Sequence, residues 1–528
     1  MKKAIMIMII IASLFSLFGC KQNKDKFISA PDNFSYYPKT KMNSNNTLYV
    51  FDNTKLNFEQ KILGQAIQGL FAKKEVKYYA LEGTPYLYWL NDLIDNYNIK
   101  RIDTTIDEMI LDYKKEFDDI GYILYDNKNL ESVNVASSLA GILNYLPVTE
   151  SLVTKMNEEN IPNKLDVRDK TERWLFNNYS DKFNYSSAIQ LRGDIPHLRD
   201  FGIANEYIFF YQEGIESDSL KLRSEIHNKL TVDAPLFGWG PGVEESHVGI
   251  ASQFGQFTIP SDYCYNTTVF TARDFYNISN VKQKNQDKEI APQKDKHYIA
   301  FVRSDGDNAQ TWYNYFPFSP KDMGAERKDF PMGWSIQPSL IDLAPTIISN
   351  VYNNADINDY FVCAVSGHGY MYPKTYKDVS TFMSRLSMYL RKTDLSVVQI
   401  LDSSASKDVI EMYAKVPEII GGMYMYGDKY VGGKGSVYWS SNEKPFVSFR
   451  ESLWDANVSD LAYRINNYKR DYTSIEGYTL INLHPWSMQY SDIYQLISLL
   501  DEDVVVVSPN NLIKMISSNV EKTDVVLE

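Results

Sequence analysis

The sequence predicts an α/β protein: a flavodoxin- or Rossmann-like open sheet over residues 47–190, followed by a (β/α) TIM-like barrel over residues 191–528. Three observations lead there. From Thr47 onward, short apolar runs alternate with stretches of helical periodicity, the pattern of parallel strands joined by helical crossovers. After Asp194 the apolar runs end in polar and aromatic residues, as strands do when the loops after them build a site. The length of 528 residues, 44% hydrophobic and 23% charged, leaves room for two or three domains.

The N-terminus sets the compartment. Lys2 and Lys3 precede an apolar run over residues 4–18, too short to span a bilayer but suited to a signal-peptide core. Leu17-Phe18-Gly19-Cys20 resembles the bacterial lipobox, whose cysteine is acylated and becomes the first residue. Residues 1–19 are therefore expected to be removed and Cys20 to carry lipid. Residues 20–46, polar and rich in Asn and Lys, would tether the globular part to the membrane. The expected location is the bacterial cell envelope, at the outer membrane or cell surface. A net charge of -13 with no basic cluster excludes nucleic acid as the main partner. Of three cysteines, Cys264 and Cys363 remain; an oxidising envelope permits a disulfide and nothing demands one.

In the first unit, strands are expected at 48–51, 76–81 and 120–125 and helices at 58–71 and 86–97. No G-x-G-x-x-G follows the first strand, which argues against a dinucleotide site and leaves a supporting or carbohydrate-contacting role. In the second unit, a strand at 207–211 leads to Gln212-Glu213-Gly214, and one at 235–239 runs into Gly240-Pro241-Gly242-Val243-Glu244-Glu245. A strand at 298–302 ends in Arg303-Ser304-Asp305-Gly306-Asp307-Asn308. The next, at 361–365, enters the turn Gly367-His368-Gly369-Tyr370-Met371-Tyr372-Pro373. Further strands at 397–401, 419–424 and 478–483 precede Asp402, Asp428 and His484-Pro485-Trp486, and a last strand lies at 504–507. Helices at 340–352, 379–390 and 493–500 separate them. In a barrel, all these strand ends open on one mouth.

That mouth mixes carboxylates with aromatic rings, within a chain that carries 39 tyrosines, and this suits the stacking and cleavage of sugars. Glycoside hydrolysis needs two carboxyl groups, one protonated and one ionised. Asp305 and Asp307 are the leading pair because residues two apart on extended backbone share a face, where mutual repulsion keeps one protonated. Glu244, Glu245 and Glu451 are substitutes, although Glu451 beside Arg450 reads equally as a surface ion pair. Asp305-Gly306-Asp307-Asn308 also suits a calcium or other divalent ion, or a cap on the following helix; no other cofactor is expected. Substrate-binding candidates are His368, Tyr370, Tyr372, Trp239, Trp334, Asp402, Asp428, His484 and Trp486. The alternation of His368, Tyr370 and Tyr372 turns all three toward the cleft if the loop is extended.

Gly367 to Pro373 matches G-x-G-Y-x-Y-P, and the chain resembles the GxGYxYP family of putative glycoside hydrolases. The similarity extends from about Asn46 to the C-terminus, through Arg303 to Asn308, Gly333-Trp334 and Asn482-Leu483-His484-Pro485-Trp486. It implies an α/β N-terminal domain, a glycosidase-like barrel and a glycan substrate at the envelope. One alternative is a non-catalytic carbohydrate-binding lipoprotein. The other is a metal-dependent hydrolase, because His484 after its strand resembles the closing segment of polysaccharide deacetylases; their Asp-Asp pair and H-x-x-x-H motif do not occur here.

Overall fold

The computed structural model describes residues 27–34, 36–214, 216–285, 290–304, 306, 308–319, 323, 330–454 and 457–523. Its strands form four sheets. The first, β2-β1-β3, joins β1 (Thr47–Asp52), β2 (Tyr78–Leu81) and β3 (Lys100–Thr104), all parallel. A second parallel sheet, β5-β4-β6, joins β4 (Tyr122–Leu124), β5 (Leu146–Val148) and β6 (Asn163–Asp166). The third, β10-β9-β7-β8, joins β7 (Ala188–Gln190), β8 (Phe209–Phe210), β9 (Pro235–Gly238) and β10 (Phe257–Ile259). Helices cross between the parallel strands, as such ladders require. The expected continuous sheet over 47–190 is thus two three-stranded sheets and the first strand of a third. Hydrophobic alternation marks each strand and crossover, but it does not say which earlier strand a new one will pair with.

The fourth sheet carries the C-terminal half. Its strands are β11 (His297–Arg303), β12 (Met332–Ile336), β13 (Asp359–Cys363), β14 (Val397–Leu401), β15 (Gly421–Met425), β16 (Val437–Trp439), β17 (Pro445–Ser448), β18 (Glu451–Leu453), β19 (Tyr478–Leu483) and β20 (Val504–Val506). They follow the order β16-β17-β15-β14-β13-β12-β11-β19-β18, with β20 also on β11. Every pairing is parallel except β16 with β17. The expected TIM-like barrel is therefore an open, curled half-barrel: among the described residues, β16 and β18 end the sheet without pairing to each other. The curl is tight. Just past β11, Ser304 donates its hydroxyl proton to Gln399 Oε1 on β14 at 2.8 Å, although two strands lie between them in the sheet.

Strand parity divides the side chains between two cores. On the convex face Ile299, Phe301, Trp334, Ile400, Tyr424, Leu453 and Ile481 join the larger cluster. Tyr298, Ala300, Val302, Val397, Met423, Val447 and Leu480 face the concave side together with the helix Pro509–Asn519. A β-carbon at Gly421 would lie 2.6 Å from Ile513, so this helix is seated against the beginnings of the strands. The concave side is plugged at that end, which leaves the carboxyl ends of the strands as its mouth.

Residues from Phe27 onward, expected as part of a polar tether, pack on the body. Tyr37 and Met42 are buried, Ala30 N–H donates to Ser384 O at 3.0 Å, and Arg385 lies over the Tyr36 ring. Aromatic rings outweigh the polar composition of the segment. Residues 1–26, with the signal-peptide run and Cys20, lie outside the described residues. No described helix is long and apolar enough to cross a membrane. Cys264 and Cys363 are buried free thiols.

Candidate active site

The turn from Gly367 to Pro373 joins the third sheet to the half-barrel. Tyr370 and Thr258 of β10 exchange two backbone hydrogen bonds, each 2.8 Å, in an isolated antiparallel bridge. Gly369 lies against the ring of Phe257, where any β-carbon would collide. Tyr372 N–H donates to Ser252 Oγ at 2.9 Å. Pro373 then opens a short 3-10 turn, fastened when Lys374 N–H donates to Asp402 Oδ2 at 2.8 Å.

The histidine of this turn does not reach the mouth. Ser366 at φ 61° and Gly367 at φ 127° rotate the chain just before it, which breaks the alternation expected of an extended loop. His368 is fully buried, stacks on Phe382 at 4.0 Å, and neither ring nitrogen has a hydrogen-bond partner. Burial pushes its pKa well below the ordinary imidazole value. Tyr370 and Tyr372 do share a side, with ring centroids 5.9 Å apart, but they are 1% and 7% exposed and belong to the concave core.

Tyr370 carries the polar contact. Its hydroxyl donates to Glu244 Oε2 at 2.7 Å. Burial, reinforced by the Glu244 charge, raises the phenol pKa far above its ordinary value and keeps the proton available for that bond. Glu244 is half-buried and begins the helix Glu244–Gln253, where the helix dipole favours a negative charge; Glu245 beside it is exposed. Gly306, in the loop after β11, closes on the same point: a β-carbon there would lie 2.8 Å from the Tyr370 ring and 2.9 Å from Glu244 Oε1. Asp305 and Asp307 flank Gly306 in sequence and lie outside the described residues.

Aromatic rings line the rest of the mouth. Trp239, after β9, is roughly parallel to Tyr370 at 6.3 Å. After β15, β18 and β19, Trp454 stacks on His484 at 3.7 Å, Tyr430 meets Trp454 edge-on at 5.4 Å, and the half-exposed Trp486 meets Tyr315 edge-on at 5.3 Å. His484 Nδ1 is 2.7 Å from Ser487 Oγ. Asp428 is exposed after β15.

Besides His368, three expected site residues are placed elsewhere or have their polar atoms committed. Trp334 is fully buried on the convex face, its indole N–H donating to Asp359 Oδ1 at 2.6 Å. Glu451 also takes convex parity and receives Arg464 at 2.8 Å together with the Tyr468 hydroxyl. Arg450, its expected ion-pair partner, lies over the Tyr468 ring instead, at 3.5 Å. Asp402 is buried after β14 and spends its carboxylate on the N–H groups of Lys374 and Ser403. Its pKa is nonetheless raised, because burial is the largest influence on it.

Sequence reasoning missed Tyr430, Trp454, Asp262 and three polar residues of the concave face, Gln399, Ser452 and Asn482. Asp262, after β10, is 7% exposed, and burial pushes its pKa up to about 6. The amides left a signal, since Gln399 in Val-Val-Gln-Ile-Leu and Asn482 in Leu-Ile-Asn-Leu are lone polar residues in apolar strands. Among the described residues, no group of three His, Cys, Asp or Glu side chains is placed to hold a metal ion.

Four family models match the chain: the GxGYxYP_N first domain over residues 47–115, the second domain over 120–183, the third domain over 186–272, and the "GxGYxYP putative glycoside hydrolase C-terminal domain" over 295–517. A solved structure described as a putative hydrolase from Bacteroides thetaiotaomicron superposes with a TM-score of 0.84 at 28% identity. The match covers 94% of this chain and 98% of that one. No curated protein matches significantly.

Proposed function

Because the chain belongs to the GxGYxYP family, we propose that it hydrolyses a glycosidic bond of a glycan at the bacterial envelope, with Glu244 as the ionised carboxylate. The family description and the solved neighbour both point to a hydrolase. One observation supports the finer reading: the 2.7 Å bond from Tyr370 to Glu244, set between the aromatic walls and beside Gly306. A phenol donating to a carboxylate favours its charged form and fixes its orientation. Such a group attacks the anomeric carbon or takes a proton from water. The second carboxyl belongs to Asp305 or Asp307, which flank Gly306 in the sequence. Asp402 and Glu451 are excluded from that role, because their oxygens are committed to the backbone and to Arg464 and Tyr468.

The test is a glycan panel incubated with wild type, Glu244→Gln, Asp305→Asn and Asp307→Asn, with the product anomer read by NMR. Glu244→Gln should lower kcat by about 10²–10⁴-fold, and so should one of the two aspartate variants. Full activity in Glu244→Gln would remove it from the mechanism. Glycan binding without cleavage by the wild type would favour a carbohydrate-binding lipoprotein. Loss of cleavage in EDTA would favour a metal-dependent hydrolase. The lipid anchor belongs to the same proposal and rests on Lys2, Lys3, the apolar run and Gly19-Cys20.

A further inference from the structure

Below the mouth, the concave face carries a patch of polar side chains with atoms that have no hydrogen-bond partner in the protein. Asn482 on β19 is fully buried, and neither its amide nitrogen nor its oxygen has a hydrogen-bond partner. Strand parity puts it on the face of Tyr478 and Leu480, the concave one. Ser452 on β18 lies opposite it in the ladder, with a buried hydroxyl that is likewise unpartnered. Val302 of β11 lies opposite it on the other side, and two residues further on Ser304 reaches Gln399. Gln399 is fully buried and its Nε2 is without a partner. These residues form one continuous floor, from β18 across β19 and β11 to β14.

An unsatisfied buried polar atom is costly to a fold, and this floor concentrates four of them in the half of the half-barrel that the helix Pro509–Asn519 does not fill. Among the described residues the floor is also uncharged. Arg303 points to the opposite face, where it donates to Pro485 O and Met488 O. Lys374 and Lys429 stand at the rim on Ser404 and on Trp454 O. Among the described residues, Glu244, Glu245 and Asp428 also stand at the rim.

From this arrangement, and resting on the reading of the mouth as a sugar site, we infer that Asn482, Gln399 and Ser452 form the subsite for the reacting ring and that this ring is an uncharged sugar. A sugar hydroxyl both donates and accepts, as do the amide of Asn482 and the hydroxyl of Ser452, while Gln399 Nε2 adds a donor. A uronic acid or a sulfated sugar would bring an anion to a floor that has no cation among the described residues, on the side of the Glu244 carboxylate. That arrangement is penalised by desolvation and by like-charge repulsion. The Trp454–His484 stack provides an apolar surface for the face of a pyranose.

The test measures binding and needs no turnover. Sugar δ-lactams of gluco, galacto and manno configuration, which are uncharged, and a glucuronic-acid-configured counterpart, are titrated by calorimetry into the mature protein, into Asn482→Leu and into Gln399→Leu. At least one neutral probe should bind wild type ten-fold or more tightly than the acidic probe. Each variant should lose ten-fold or more of that affinity while melting at or above the wild-type temperature, because an unpartnered polar group has been removed. Equal or tighter binding of the acidic probe, no binding of any neutral probe, or unchanged affinity in both variants would each overturn the inference. The wild-type comparison stands even if a variant fails to fold. Binding of neutral probes by a protein that cleaves nothing would overturn hydrolysis and leave this inference intact. Cleavage confined to uronate-bearing glycans would do the reverse.

Discussion

Replacing His368 with Phe tests whether the motif histidine belongs to the core or to the cleft. In the structure it is fully buried, stacked on Phe382, and both ring nitrogens are unpartnered. Its folded pKa is depressed well below the unfolded value of about 6.5. As pH falls through 6.5 the unfolded chain takes up a proton that the native chain refuses, so stability is lost with acid and is unaffected above that value. Integrated from pH 7.5 to 5.0, the loss from this one group is at most about 2 kcal/mol, the limit set by the unfolded pKa alone. Phenylalanine keeps the stacking plane and removes the titration. At pH 7.5 a gain of about 1–3 kcal/mol from deleting unsatisfied nitrogens opposes a packing penalty of similar size, and the net change is small. At pH 5.0 the variant should have improved relative to wild type, by up to about 2 kcal/mol. Guanidinium unfolding followed by tryptophan fluorescence at the two pH values measures the difference. Parallel acid losses in wild type and variant would mean that His368 is protonated freely in the native state, which only an open cleft position allows.

Tyr370→Phe removes the hydroxyl from Glu244 and keeps the ring; the acid limb of the kcat/KM profile should move up by about one pH unit or more, since a bond to a charged group contributes about 1.5–3 kcal/mol. Gly369→Ala drives a methyl into Phe257 and should cost about 1–3 kcal/mol, read as a lower melting temperature. Glu451→Gln should leave turnover unchanged, with at most a small loss of stability because Arg464 is 45% exposed; a large fall in kcat would return Glu451 to the mechanism. Cys20→Ala should abolish fatty-acid labelling and membrane fractionation, and a variant that still carried label would sink the lipid anchor.

The alternation of strands with helices and the grouping of polar strand ends were legible because burial writes its period into sequence. That period gave the run of parallel strands and put Glu244, His484 and Trp486 after theirs, while Trp239, expected as the last residue of its strand, lies one past it. Closure was not legible, because it depends on which strand pairs with which across long separations, as when β18 returns to β19 and β16 turns antiparallel. Parity inside a strand should have moved Trp334 and Glu451 to the convex face, since Val302 and Leu480 set the concave register. The turn at His368 lies beyond such rules: positive φ at Ser366, a residue with a side chain, is dictated by the tertiary contacts of the loop.

The same contacts explain why this short turn would be a family signature without supplying a catalytic side chain. Gly367 supplies a backbone conformation, and Gly369 permits contact with Phe257. Tyr370 pairs with Thr258, Tyr372 with Ser252, and Asp402 holds the turn after Pro373. Each partner except Asp402 lies in the third sheet or the helix that follows β9, so the motif is a joint between that unit and the half-barrel. Glu244 comes from the first side of the joint, and Asn482, Gln399 and the β11 loop come from the second. The phenol of Tyr370 is the one group of the joint that points at the carboxylate. A slip of the third sheet by one ångström would therefore break the Tyr370–Glu244 bond and misplace Glu244 against the floor, so that damage to packing at Gly369 would be felt first as lost activity and only later as unfolding.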